Sequence, residues 1–387
     1  CAVAFQQVLA EDELRWAMAA RSQAKLDRLK ANLGPTADAV PTVVADSFDV
    51  DSLNAMAART TVVLTTVGPY AQYGSQLVAS CVDAGTHYCD LAGEAQWIRK
   101  MIDQHHDRAR ETGARIVTCC GFDSVPMDIG VWFLQQHALA THERPCVAIS
   151  MLVKAAKGGA SGGTAASIVN LVKEAREDKS VARTLVDPYG LNPEGEREGP
   201  DGRDQQDVRF DQDAQCWTAP FVMAGINTKV VRRSNALLDY PWGRDFRYRE
   251  AVMAGEGLSG RLKGFGIAGS LGALVAGASF GPGRAFLNRF VLPEPGAGPS
   301  PEQQKAGFFN LRQFGRLADG TLIRTKITGD RDPGYGSTSK MISECAVCLA
   351  QDSLESPGGV LTPASAMGAP LLERLRANAG LTFDVVE

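Results

Sequence analysis

The chain has 387 residues, 44% hydrophobic and 22% charged, an ordinary balance for a globular protein with room for two or three domains. Its net charge is −4 and no basic block occurs, which argues against nucleic acid as the main partner. Nine cysteines are scattered without a Cys/His cluster of zinc spacing, so a reducing, cytoplasmic compartment is expected and a metal is not.

The chain opens Cys1-Ala2-Val3-Ala4-Phe5, without an initiator methionine, and residues 1–10 read as the end of a helix. Short apolar runs then follow at Trp16–Ala20, Val43–Asp46, Thr61–Val67, His87–Leu91 and Arg115–Cys120. Between them lie helical stretches at Ser22–Leu33, Asp51–Ala58, Gly74–Ala84 and Ala95–Thr112. Strands alternating with helices predict βαβ units and a parallel sheet, and runs without polar alternation predict burial on both faces. The fold class is therefore α/β: a Rossmann doubly wound parallel sheet, followed by a C-terminal α/β or α+β domain.

A doubly wound nucleotide-binding sheet begins strand, glycine-rich loop, helix, second strand. Here Trp16–Ala20 reads as the second strand. Counting back about 20 residues places the phosphate loop upstream of Cys1. The first strand and that loop are thus expected to be missing from this chain, as an internal start of a longer one.

From about residue 145 the texture changes. Gly158–Thr164, GGASGGT, leads into a helical run to Glu177, and 187–213 reads as a long surface loop. Residues 264–281 carry no charge. Phe308–Lys326 alternates like strands, Ser337–Leu349 is helical, and Ala364–Ala379 is a helix before a short last strand. The domains read as 1–145 for the nucleotide, 146–350 for substrate and dimerisation, and 351–387 packing back on the first.

The end of the second strand carries the cofactor signal. NAD enzymes place Asp or Glu there, whereas NADP enzymes often place Arg. Ala20-Arg21-Ser22, with Lys25 one turn on, favours NADP(H) over NAD(H). Arg21 suits a 2′-phosphate, and Ser22 is expected to cap the next helix while adding a hydrogen bond. Asp46 ends the third strand, near the expected adenine, or is a turn residue. Val67-Gly68-Pro69-Tyr70 leaves the fourth strand on the nicotinamide side, where Gly68 permits close backbone approach. Asp90 and Glu94 follow the fifth strand, and Asp90 is taken as a cofactor contact. Asp123 and Ser124 follow the sixth, as proton donor or ligand, or as caps of the helix from Pro126. Tyr70 is a third candidate proton donor. Ser161-Gly162-Gly163-Thr164 is an anion-binding turn or a structural one.

The apolar run 264–281 holds six glycines, too many for a comfortable membrane span. With Arg284, Phe286, Leu287, Arg289 and Phe290 after it, 264–290 reads as a membrane or lipid surface element, a buried helix or dimer contact, or a lid. A homodimer and a peripheral place on a membrane or lipid droplet both follow as expectations.

In order along the chain, TTVGPYAQYG, GTHYCDLAGE, CCGFDSVPMDIG, SGGTAAS, DPGYGSTSKMISECAVCLA and GGVLTPASAMG resemble the saccharopine dehydrogenase-like oxidoreductases, in the branch of the trans-acting enoyl reductases. The resemblance runs from about residue 14 to 387. It implies an NADP-binding Rossmann domain, a second α/β domain, and a nucleotide loop G-A-T-G-F-T-G that this chain does not contain. It implies reduction of a carbon–carbon double bond in a polyketide-derived, lipid-like acyl substrate. A saccharopine-type amino-acid-adduct dehydrogenase is the alternative, and would want an Arg-rich pocket. A lipid-associated protein that kept the fold without activity is a third reading.

Overall fold

The computed structural model describes residues 14–122, 124–158, 171, 174–290 and 298–386. Its parallel strands form two ladders. In the first, β1 (Met18–Ala20) pairs with β2 (Thr42–Val44), and Met18 stands opposite Thr42. Helix α1 (Gln23–Leu33) crosses between them and buries Leu26 against Met18 and Val40. Helix α2 (Val50–Ala57) leads on, capped by the Asp49 side chain, which accepts from the N–H of Ser52.

The second ladder runs β3 (Val62–Leu64), β4 (His87–Cys89), β5 (Arg115–Val117) and β12 (Gly359–Leu361), all parallel. Helices α3 (Tyr70–Tyr73) and α4 (Ser75–Ala84) connect β3 to β4, and α5 (Ala95–Thr112) connects β4 to β5. No ladder joins β1–β2 to β3–β4–β5–β12 among the described residues. In the doubly wound order that gap is the place of the first strand.

The paired strands are shorter than the apolar runs that predict them. Of Thr61–Val67, only Val62–Leu64 pairs in the ladder. Thr65, Thr66 and Val67 run on past the carboxyl end of the strand. The same happens after Cys89 and Val117, and at Cys119 the backbone turns left-handed, with φ 63°.

Helix α6 (Val125–His142) carries the chain to a seven-stranded mixed sheet. Its order is β13 (Leu381–Val386), β11 (Leu322–Gly329), β10 (Phe308–Arg316), β6 (Ala148–Lys157), β9 (Arg247–Gly255), β8 (Cys216–Ala219) and β7 (Arg209–Asp211). Only β6 and β9 are parallel neighbours in it. Gly130 lets α6 approach closely: a Cβ there would stand 2.3 Å from Ile327 of β11. Helices α12 (Thr338–Gln351) and α13 (Pro363–Ala377) pack with α6 in one continuous core, which joins Cys89 and Val117 of the parallel ladder to Leu311 and Ile327 of the mixed sheet. Burial of such side chains at about 25 cal/mol per Å² is the main force holding the two layers together.

One expectation changes. The stretch 187–213 is not a bare surface loop. Tyr189, Leu191 and Asn192 are buried, and Asp201 accepts hydrogen bonds from Arg232 and from the N–H of Tyr248. Its apolar and paired groups have found partners that composition does not reveal. The segment after 351 serves both layers: β12 completes the parallel ladder and β13 edges the mixed sheet. The uncharged run becomes α9 (Gly257–Ala278) and α10 (Gly281–Phe290), bent by 120°. Between β6 and α9 also lie α7 (Lys179–Val186) and α8 (Ala224–Leu237), and α11 (Pro301–Lys305) precedes β10.

Candidate active site

At the end of β1, Arg21 is exposed and has no partner among the described residues. Ser22 occupies the N-cap position of α1 in extended conformation, yet its hydroxyl caps nothing, contrary to expectation. The first N–H groups of α1, the free hydroxyl, the guanidinium and exposed Lys25 together suit a phosphate. Asp46, by contrast, is occupied with its own turn. Its carboxylate accepts from the N–H of Phe48 at 3.0 Å, and its N–H donates to Ser52 Oγ at 3.1 Å. The apolar side chains Val44, Phe48 and Val67 are more than half exposed. Phe48 meets Tyr73 edge-on at 5.7 Å. A charged corner beside open apolar side chains fits a phosphorylated adenosine, so the residues present accommodate NADP(H).

The crevice proper lies past β3, β4 and β5. Val67 and Gly68 are exposed, which leaves the Gly68 backbone open to a close neighbour. Glu94 fixes the turn behind them. Its two carboxylate oxygens accept from the N–H of Tyr70 at 2.9 Å and of Ala71 at 2.8 Å. The Tyr70 hydroxyl is buried; it donates to the carbonyl of Thr65 and accepts from the N–H of Leu91. Burial, and then nearby Asp90, push its pKa well above the ordinary value. The Tyr70 hydroxyl is therefore neutral and hydrogen-bonded between two strand ends.

Asp90 is fully buried, and burial raises its pKa to about 7 against the lowering effect of its donors. Those donors are the N–H of Ala92 at 2.9 Å, the N–H of Cys119 at 3.2 Å and the Tyr88 hydroxyl at 2.8 Å. A carboxyl so enclosed ties together the loops after β4 and β5.

Asp123 lies outside the described residues, as do Ser161–Thr164. Ser124 is buried at the N-cap position of α6 but makes no capping bond. Its hydroxyl donates to Asn227 Oδ1 at 3.1 Å, and Asn227 Nδ2 donates to Glu250 Oε2 at 3.0 Å. Tyr248 donates to the other Glu250 oxygen at 2.8 Å. Burial raises Glu250 to about 8. Asp128 is a second such carboxyl, raised by burial to about 7, and accepts from Ser234 and from the N–H of Ala364. Phe122 N–H donates to Thr338 Oγ1 at 3.0 Å. The sequence offers no local signal for Asn227 or Glu250, each far along the chain in an unremarkable helix or strand, and carries Thr338 only within the stretch DPGYGSTSK. It marks Glu94 only as a neighbour of Asp90.

Cys345 and Cys348 form a C-x-x-C pair on α12, but both are buried and burial raises both thiols, so neither is a ready thiolate. No group of three or more His, Cys, Asp or Glu able to hold a metal occurs among the described residues. Beside α3 and α5 opens a cleft of about 930 Å³, lined by Ala71, Trp97, Arg99 and Lys100 on one side and by Arg183 and Arg197 on the other.

A parallel nucleotide-binding ladder, an unpaired cation past β1 and an open strand-end crevice define a Rossmann-type NADP-binding oxidoreductase. Residues 1–117 match the family described as the saccharopine dehydrogenase NADP binding domain. The chain belongs to the saccharopine dehydrogenase-like oxidoreductase family. It is 40% identical over 386 residues to Rv2449c of Mycobacterium tuberculosis (strain ATCC 25618 / H37Rv), which bears the name trans-acting enoyl reductase provisionally; the match covers 96% of this chain and 91% of that protein. It is 37% identical over 378 residues to a trans-acting enoyl reductase of Mycobacterium ulcerans (strain Agy99), covering 93% and 89%. Its fold is similar to that of apo histidine-tagged saccharopine dehydrogenase (L-Glu forming) from Saccharomyces cerevisiae. That match has a TM-score of 0.54 at 10% identity and covers 100% of this chain and 98% of the other.

Proposed function

We propose that this protein is an NADPH-dependent reductase of an enoyl double bond in an acyl, lipid-like substrate. The observation that carries the reading is the near full-length likeness to proteins named trans-acting enoyl reductases. When bound, NADPH supplies the hydride. Arg21, Ser22 and Lys25 hold the 2′-phosphate, and the Val67–Pro69 edge flanks the reactive ring. Glu94, Tyr70 and Asp90 keep that edge in place. The proton for the neighbouring carbon is assigned to Asp123, since the hydroxyls of Tyr70 and Ser124 are both engaged within the protein.

The cleft also favours this reading over an amino-acid adduct. Arg99, Lys100, Arg183 and Arg197 are matched there by Asp103, Glu174, Asp178 and Asp187. A substrate with several carboxylates asks for a cationic excess that this lining does not offer.

The test is to mix the protein with NADPH and a series of α,β-unsaturated acyl thioesters and follow loss of reduced nicotinamide. Saturated product is expected, with Asp123→Asn lowering kcat more than it raises KM. Reduction of NADP+ by saccharopine, with no NADPH consumed by any enoyl thioester, would overturn the proposal.

A further inference from the structure

The bent pair α9–α10 has no role in the site described above. Of the 22 residues of α9, only Gly260, Gly264 and Ala278 are buried. Gly264 seats the start of the helix on Val208 and Ala254, and Arg261 lies over the Trp217 ring at 5.2 Å. Beyond that anchor the middle of the helix stands out from the protein, which it meets again where Arg176 donates to the Ser279 carbonyl and where Glu177 lines a small cleft with Phe280 and Arg284. A Cβ added at Gly266, Gly269 or Gly272 would meet nothing within 4 Å. Leu258, Leu262, Phe265, Val275 and Phe280 are 45–71% exposed. An apolar helix with so many of its large side chains exposed needs a cover, since a contiguous patch of this kind marks an interaction surface.

Length, bend and charge select the cover. From Gly264 to Ala278 the helix carries no charge and rises about 22 Å at 1.5 Å per residue, short of the roughly 30 Å hydrocarbon core. No single helix among the described residues is long and apolar enough to cross a membrane, and the 120° bend folds α10 back. The pair is thus shaped to enter one leaflet from one side. From 257 to 287 the charged residues are Arg261, Lys263 and Arg284, with no Asp or Glu, in a chain whose net charge is −4. A second copy would bring these cations toward one another with no acid in the segment to receive them. An anionic lipid surface meets both the cations and the apolar side chains.

We propose that α9–α10 inserts into the headgroup and upper acyl region of an anionic membrane, with Leu262, Phe265 and Phe280 among the chains and Lys263 and Arg284 at the headgroups. The inference stands apart from the enoyl reading, because its readout is partition and not turnover.

The experiment is flotation of the full chain with vesicles of phosphatidylcholine alone and of phosphatidylcholine mixed with phosphatidylglycerol, at low and high salt. Unchanged circular dichroism and NADPH titration qualify each variant. The wild type is expected to float with the mixed vesicles and to be partly released by salt. Leu262→Ser with Phe265→Ser should lower the partition coefficient by about tenfold or more. Lys263→Glu with Arg284→Glu, at positions that build no core, should abolish the preference for the mixed vesicles. Equal recovery on both vesicle types overturns the proposal. So does unchanged recovery of both variants, or a vesicle-free dimer that the apolar variant dissociates while no vesicle is bound.

Discussion

Glu94 and Tyr70 are 24 positions apart, yet the Glu94 carboxylate accepts the Tyr70 N–H at 2.9 Å and takes the next N–H, of Ala71, with its second oxygen. One buried carboxylate thereby fastens the loop after β4 to the start of α3, directly behind the exposed Val67–Gly68 edge. Replacing Glu94 by Ala leaves two backbone donors without their acceptor, at about 1–3 kcal/mol each. Thermal melting should fall by several degrees and the Kd for NADPH should rise, with Glu94→Gln intermediate because it keeps one acceptor. A Glu94→Ala protein that melts and titrates like wild type would remove Glu94 from the site.

Arg21 is the counterpart at the adenosine end. The guanidinium has no protein partner among the described residues, so its removal is expected to cost no stability. Arg21→Ala should weaken NADPH by about tenfold or more, the worth of a charge-assisted contact, and leave NADH nearly untouched. Fluorescence titration with both nucleotides checks this. An unchanged ratio of the two Kd values refutes the 2′-phosphate role.

Glu250 predicts a pH dependence of stability. Burial lifts its pKa from 4.5 to about 8 in the folded chain. Between those values the native state binds more protons than the unfolded state, so stability falls as pH rises through that window. Asp90 and Asp128, lifted from 3.8 to about 7, act in the same direction. Melting temperature should therefore decline from mildly acidic to mildly alkaline pH. Glu250→Gln should flatten the alkaline part of that decline. A wild-type profile that climbs toward pH 8 would contradict the burial of these carboxyls as protonated groups.

Gly358 governs how β12 docks. A Cβ there would stand 2.2 Å from the Ala109 carbonyl oxygen and 2.8 Å from backbone atoms of Gly113, and backbone cannot step aside cheaply. Gly358→Ala should destabilise by about 1–3 kcal/mol and expose the β5 edge to hydrogen exchange. Full protection of Ile116 and Val117 in that variant would show that β12 tolerates the displacement.

Much of this molecule is readable in its sequence for a physical reason. Val62–Leu64 and Arg115–Val117 sit in short apolar runs bounded by turn residues, and burial on both faces imposes that pattern. Arg21 and Gly68 can be assigned to strand ends from the pattern of apolar runs alone. Legibility stops where a side chain's neighbour lies far along the chain. The enclosure of Asp90 by donors from Tyr88, Ala92 and Cys119 cannot be read from its motif. Ser124 looks like a cap until its hydroxyl is seen on Asn227, 103 positions later. The paired stretch between Tyr189 and Asp201 carries the composition of a loop, because Pro, Gly and Asp announce turns and say nothing of what packs beneath them.

The division of the C-terminal segment between the two sheets bears on how the protein is made. Arg115, beside β4 and β5, donates to the carbonyl of Ser356, 241 positions onward. A ribosome extrudes β3, β4 and β5 early, and their open edge waits through the synthesis of nearly the whole mixed sheet before β12 emerges to cover it. The mixed sheet in turn waits for β13. Neither ladder is complete until these late segments are made, so a chain cut before β12 lacks a strand in each sheet.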